Sequence, residues 1–87
     1  MNVRLRSYAS HRSVAYGMSS IMDVATYTVV RLSTKVRGGW AGFEVASGKS
    51  LALMFARDLT PLSPDAPEVL AAEQASTERE ARIGDGR

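Results

Sequence analysis

The sequence predicts an α+β domain: a three-stranded antiparallel β-meander over about residues 25–57, with an N-terminal helix before it and a C-terminal helix after. Three observations lead there. Residues 24–36 are rich in Val, Thr and Tyr, side chains that fit a pleated, half-buried surface. Two glycine-marked turns, at Gly38-Gly39 and around Gly48, cut the following stretch into strand-length pieces. Beyond three closely spaced prolines, alanine and glutamate dominate residues 65–82, as they do in helices.

The chain has 87 residues, enough for one domain, expected over 1–83 with a frayed tail at 84–87. So short a chain buries only about 60–65% of its unfolded surface, which argues against a deep enclosed active site. It contains no cysteine and a single histidine, His11, so no thiolate or multi-histidine metal site is expected. No apolar run approaches the roughly 20 residues of a membrane span, and a soluble, cytoplasmic protein is the expectation.

The first 22 residues are rich in Arg and Ser and contain no acid, a composition shared with organellar transit peptides. No uninterrupted apolar run follows the arginines, so a secretory signal is not expected. Residues 3–8 read as a short edge strand or an extended arm. From Ser10 or Ser13 the pattern turns helical, because Val14, Met18, Ile21, Met22 and Ala25 recur on one face.

In the meander, taking Gly38-Gly39 as the centre of a type I′ turn sets Arg37 opposite Trp40, Val36 opposite Ala41, Thr34 opposite Phe43 and Leu32 opposite Val45. Val30, Leu32, Val36, Phe43 and Val45 then share one face, and Arg31, Ser33, Lys35, Trp40 and Glu44 the other. A three-residue loop at 48–50 pairs Val45 with Leu53 and Phe43 with Phe55, which gathers the large apolar side chains on one face. The prolines at 61, 64 and 67 are expected to forbid regular structure through Pro64. Asp65 is the expected helix cap, with Glu68 completing a box-like pattern and Gly84 stopping the helix. Its apolar residues are front-loaded in Val69, Leu70, Ala72 and Ala75, so only its first turns are expected to pack.

No catalytic motif stands out, and the protein is not expected to be an enzyme. Ser47-Gly48-Lys49-Ser50 has the wrong glycine spacing for a phosphate loop and joins strand to strand rather than strand to helix. Gly39-Trp40-Ala41-Gly42 has the GxxG spacing of an RNA-clamping loop, but it begins a strand and carries tryptophan. His11 lacks triad partners, and only Asp23 and Glu44 precede the exit segment as acids. No cofactor and no metal are expected.

Charge is unevenly spread. Residues 1–57 hold eight basic side chains against Asp23 and Glu44, whereas residues 58–87 hold three arginines against seven acids. The sequence-predicted face gathers Arg31, Lys35, Arg37 and Trp40 near the first hairpin, with Tyr27 further along and Glu44 on the same side. Arginine beside exposed aromatic is the composition of protein-binding hot spots and also of base-stacking surfaces. The partner-binding set is therefore Tyr27, Arg31, Lys35, Arg37, Trp40 and Glu44. The expected function is a small accessory or inhibitor-type binding protein, of bacterial or phage origin, that occludes or bridges a protein partner. Nucleic-acid binding by the basic face is the alternative, and homo-oligomer formation through an edge strand fits either.

A meander followed by a helix, with Arg37-Gly-Gly-Trp40 opening its second strand, resembles AP2-type and integrase-arm domains, which implies a sheet laid on DNA. The α-β-β-β-α order resembles the double-stranded-RNA-binding domain. There, Asp65-Ala-Pro-Glu68 replaces the lysines such a domain places at its last helix, and would repel phosphate.

Overall fold

The computed structural model describes residues 7–15 and 24–85. They form five strands, β1 Ser7–Ala15, β2 Val24–Val36, β3 Gly39–Glu44, β4 Ser50–Phe55 and β5 Leu59–Leu62, followed by helix α1 Pro67–Asp85. A single 3₁₀ turn, Ala56–Asp58, links β4 to β5. All strands are antiparallel to their neighbours in one sheet of order β4-β3-β2-β1-β5.

That order and that link together dictate the shape. In a flat sheet, edge strands four places apart are separated by roughly 19 Å. The 3₁₀ turn between them advances only about 2 Å per residue, so it spans less than half of that. The sheet must curl to bring its edges together. Side chains from both ends of the ladder accordingly meet on the concave side: Ala9, Val30 and Met54 are buried, with Leu32, Leu51 and Leu59 packed against them. Val30 and Met54 are almost fully removed from solvent, each worth about 1.5–3 kcal/mol of burial.

The convex side is covered by α1. Tyr8, Val45 and Val69 form its buried cluster, flanked by Val29, Leu62, Ala66 and Ala72. Tyr8 Oη donates a hydrogen bond to Glu73 Oε2, and the Arg31 guanidinium carbon lies 5.5 Å from the centre of the Tyr8 ring. Further along, Arg79 Nε donates to the Ala46 carbonyl at 3.1 Å, tying the fourth turn of the helix to the β3–β4 loop.

Several expectations from the sequence are corrected. Residues 10–15 belong to a strand, not to the start of an N-terminal helix; the rest of that predicted helix lies outside the described residues, as do residues 3–6 of the predicted edge strand. β1 pairs with β2 over all nine residues and with β5 over residues 8–11. Two ladders on one short segment outweigh a helical pattern that had only Val14 to support it here. The sheet therefore has five strands rather than three, and neither resemblance based on a three-stranded meander describes it.

The first hairpin turns one residue earlier than predicted. Val36 faces Gly39 and Lys35 faces Trp40, so Arg37 and Gly38 are the turn, and only Gly38 (φ +87°) has positive φ there. Gly39 instead opens β3, and it is glycine for want of space, since a Cβ there would lie 2.0 Å from the Met54 carbonyl oxygen. A bulge at Ser33, whose Oγ donates to the Ala41 carbonyl at 3.1 Å, then shifts the register. Beyond it Leu32 faces Gly42 and Arg31 faces Phe43, which separates Phe43 from Leu32 and Val30.

A second irregularity between Trp40 and Gly42 sets Met54 opposite Trp40 but Leu51 opposite Gly42. Phe43 therefore faces Ser50, not Phe55, and the connection to β4 is longer than three residues. It is closed by Glu44 N–H to the Lys49 carbonyl at 2.9 Å and Gly48 N–H to the Glu44 carbonyl at 2.8 Å. Leu53 and Phe55 remain 45% exposed, so the apolar side chains do not collect on one face.

The predicted proline-rich coil contains β5, in which Pro61 faces Ala9. Proline is tolerated because β5 is an edge strand whose outer side makes no ladder bonds. Helix α1 is entered through Ala66 rather than Asp65: the Val69 and Leu70 amides donate to the Ala66 carbonyl, and Pro67 takes the first helical position. The Asp65 amide instead donates to Ser63 Oγ. The helix is also held beyond its first turns, through Glu73 and Arg79.

Two substitutions test this arrangement. A Cβ at Gly42 would lie 2.1 Å from the Arg31 carbonyl oxygen, so Gly42→Ala should cost about 1–3 kcal/mol in urea unfolding by forcing β2 and β3 apart; an unchanged midpoint would contradict the register. Tyr8→Phe removes the hydroxyl that Glu73 accepts from, and should lower stability by about 1 kcal/mol while increasing amide exchange in the middle of α1.

Candidate binding site

The six sequence-predicted site residues do not converge on one face. Lys35, Arg37 and Trp40 stay together at the β2–β3 hairpin, because Lys35 and Trp40 are directly opposed and Arg37 forms the turn. Lys35 Nζ lies 5.7 Å from the centre of the indole. The Ser33 bulge sends Arg31 to the opposite, convex face, where it faces Phe43 and lies over Tyr8. Tyr27, 63% exposed, is on that convex side too, opposite Arg12. It is eight residues from Lys35 along β2, roughly 26 Å at about 3.3 Å per residue. Glu44 is half-buried beside Val30, and its Oε1 accepts from Ser47 Oγ at 2.6 Å, which makes it part of the loop closure.

Trp40 has a different neighbourhood from the one its sequence implied. It faces Met54, so its side of the strand is the concave, apolar one, and it is half-buried at the rim. There it joins Ser7, Ala9, Leu32, Ala56, Leu59 and Pro61 around an open recess of about 460 Å³, which Tyr8 and Leu62 complete at the edge. Five separate segments supply these residues. The size falls within the range of small-ligand and peptide-side-chain pockets. What sequence reasoning missed was the wall from 59–62: Leu59 and Pro61 alternate with Thr60, a short strand pattern hidden by the weight given to proline.

A cation–aromatic pair lies next to Ala56 in the chain, outside the lining of the recess. Arg57, in the 3₁₀ turn that contributes Ala56 to the recess, places its guanidinium carbon 5.1 Å from the Phe55 ring centre. Gly48 (φ +77°) and Lys49 occupy an ordinary strand-to-strand turn, and the Gly48 backbone lies against Arg79. Among the described residues, no three His, Asp or Glu side chains are grouped as metal ligands would be. Among the same residues, no helix is long and apolar enough to cross a membrane. Comparison with protein-family models, with curated proteins and with solved structures gave no match.

The recess can therefore accept an apolar or aromatic group by desolvation against Leu32, Leu59 and Pro61, with the indole edge and a nearby ammonium available to a carboxylate alongside. Such a surface fits noncovalent recognition.

Proposed function

We propose that this chain is a non-catalytic binding module of the accessory or inhibitor kind, working in the cytoplasm, that captures an extended segment of a protein partner at the Trp40 recess. One observation carries the reading: a half-buried tryptophan, with Lys35 over its ring, forms the lip of an open apolar recess built by five separate segments. Aromatic-lined grooves of this kind hold extended peptides through one or two apolar anchors, and adjacent cations select acidic flanks. The preferred target is thus an apolar or aromatic residue flanked by Asp or Glu. Occlusion of the segment or bridging to a second protein are both consistent with so small a body.

Nucleic-acid binding is the weaker alternative. It draws on the three cation–aromatic pairs, at Arg31–Tyr8, Lys35–Trp40 and Arg57–Phe55. Arg31 and Lys35 lie on opposite faces, however, so these pairs do not line one phosphate-tracking groove.

Selection of peptides from a random library on the immobilised chain, followed by anisotropy titration, tests the proposal. Enriched peptides should carry an apolar anchor beside acidic residues. Trp40→Ala should weaken them about ten-fold or more, a loss of about 1.4 kcal/mol. Lys35→Glu, at an exposed position, should weaken them without moving the thermal melt. Equal binding by both variants, or no enrichment, would overturn the reading.

A further inference from the structure

A second feature of β1 lies beyond the Trp40 recess. β2 pairs with all nine residues of β1, but β5 covers only residues 8–11. Upstream of Leu59 the chain makes no ladder with β1; it forms the 3₁₀ turn, which stays beside β1 with Arg57 and Asp58 across the recess from residues 11–14 before returning to β4. Among the described residues, β1 therefore has a strand neighbour on one side only from Arg12 to Ala15. Alternate residues of this stretch direct backbone N–H and C=O groups away from β2, toward the side that β5 does not reach.

Beside this open edge is a recess of about 430 Å³ lined by His11, Arg12, Ser13, Val14, Arg57 and Asp58. Two guanidinium groups and an imidazole there face a single carboxylate. Arg12 and Arg57 are both exposed, and Arg57 is positioned by its packing over Phe55. The excess is positive, and it borders backbone groups able to extend a ladder.

We propose that residues 12–15 of β1 form a strand-addition site for an acidic extended peptide, which takes up the line of β5 upstream of Leu59. Main-chain hydrogen bonds to β1 supply the register, and alternate carboxylates meet Arg12 and Arg57. About four residues, roughly 13 Å of extended chain, fill the uncovered length. A peptide fits this edge better than a polynucleotide, because ladder bonds require the N–H donors that a phosphodiester backbone lacks. The inference rests on the reading of the chain as a binder of protein segments, and assigns that binder a second contact at the other end of β1.

The test is a titration of the full ¹⁵N-labelled chain with capped Val-Glu-Val-Glu-Val-Glu at low salt. Saturable shifts should be confined to residues 11–15 and 57–59, and amide exchange should slow at alternate positions between 12 and 15. Arg12→Glu and Arg57→Glu should each weaken binding about five-fold or more without altering the melt, as loss of a charge pair at a rim does. Trp40→Ala should leave this peptide's affinity unchanged, so that failure here and failure of the Trp40 site are read separately. Absence of saturable shifts, equal affinity for Val-Lys-Val-Lys-Val-Lys, insensitivity to both charge reversals, or shifts centred on Lys35 and Trp40 would each overturn the proposal. Tighter binding of an oligothymidylate at the same residues would overturn it in favour of a polyanion groove.

Discussion

Three residues, Ala56–Asp58, join the two strands that stand at opposite ends of the ladder, and the rest of the structure depends on that short link. It forces the sheet to curl, and curling creates two surfaces with different needs. The concave side closes on itself around Val30 and Met54 and requires no helix. The convex side cannot do so, and α1 covers it through Val69, with the Tyr8–Glu73 hydrogen bond and the Arg79–Ala46 contact extending the grip. Bulges at Ser33 in β2 and within β4 are the local means of bending strands that would otherwise run straight.

The candidate site is a by-product of the same geometry. A curled sheet that is not fully closed leaves its apolar interior open at a rim. Trp40 lies at that rim because the turn falls at Arg37-Gly38 and points its strand position inward, opposite Met54. Arg57 reaches its place because it belongs to the link itself. The proposed binding surfaces therefore sit beside the segment under the greatest geometric constraint, a favourable place for a preorganised contact.

Much of this was legible in the sequence where local chemistry decides, and little where pairing decides. Composition alone located β2, β3, β4 and α1, and Gly38 and Gly48 marked both turns, since each adopts positive φ. Clean alternation then misled. One bulge at Ser33 reverses which residues share a face, so Arg31 was grouped with Trp40 when the two lie on opposite sides. β5 and all of β1 beyond Tyr8 were missed; only Ser7 and Tyr8 fell within the edge strand or arm read over residues 3–8. Ser10-His11-Arg12-Ser13 has no β-branched residue and no Phe, Tyr or Trp, and Pro61 breaks the strand pattern around Thr60, so both segments are ordered by each other and by β2 rather than by their own preference. Pro61 was legible only as a breaker, although an edge strand tolerates it. The hairpin trio Lys35, Arg37 and Trp40 could be read locally, whereas the recess beneath Trp40 could not, since its walls come from residues far apart in the chain.

The pairing of β1 with β5 is the central claim, because it distinguishes a curled five-stranded sheet from a flat meander flanked by helices. Proton–proton Overhauser contacts in a uniformly labelled sample measure it directly. The structure predicts cross-strand backbone contacts between Ser10 and Thr60 and between His11 and Leu59, with a side-chain contact linking the Leu59 region to Met54. Contacts between residues three apart within 10–15, of the kind a helix gives, with none across to 59–62, would contradict it.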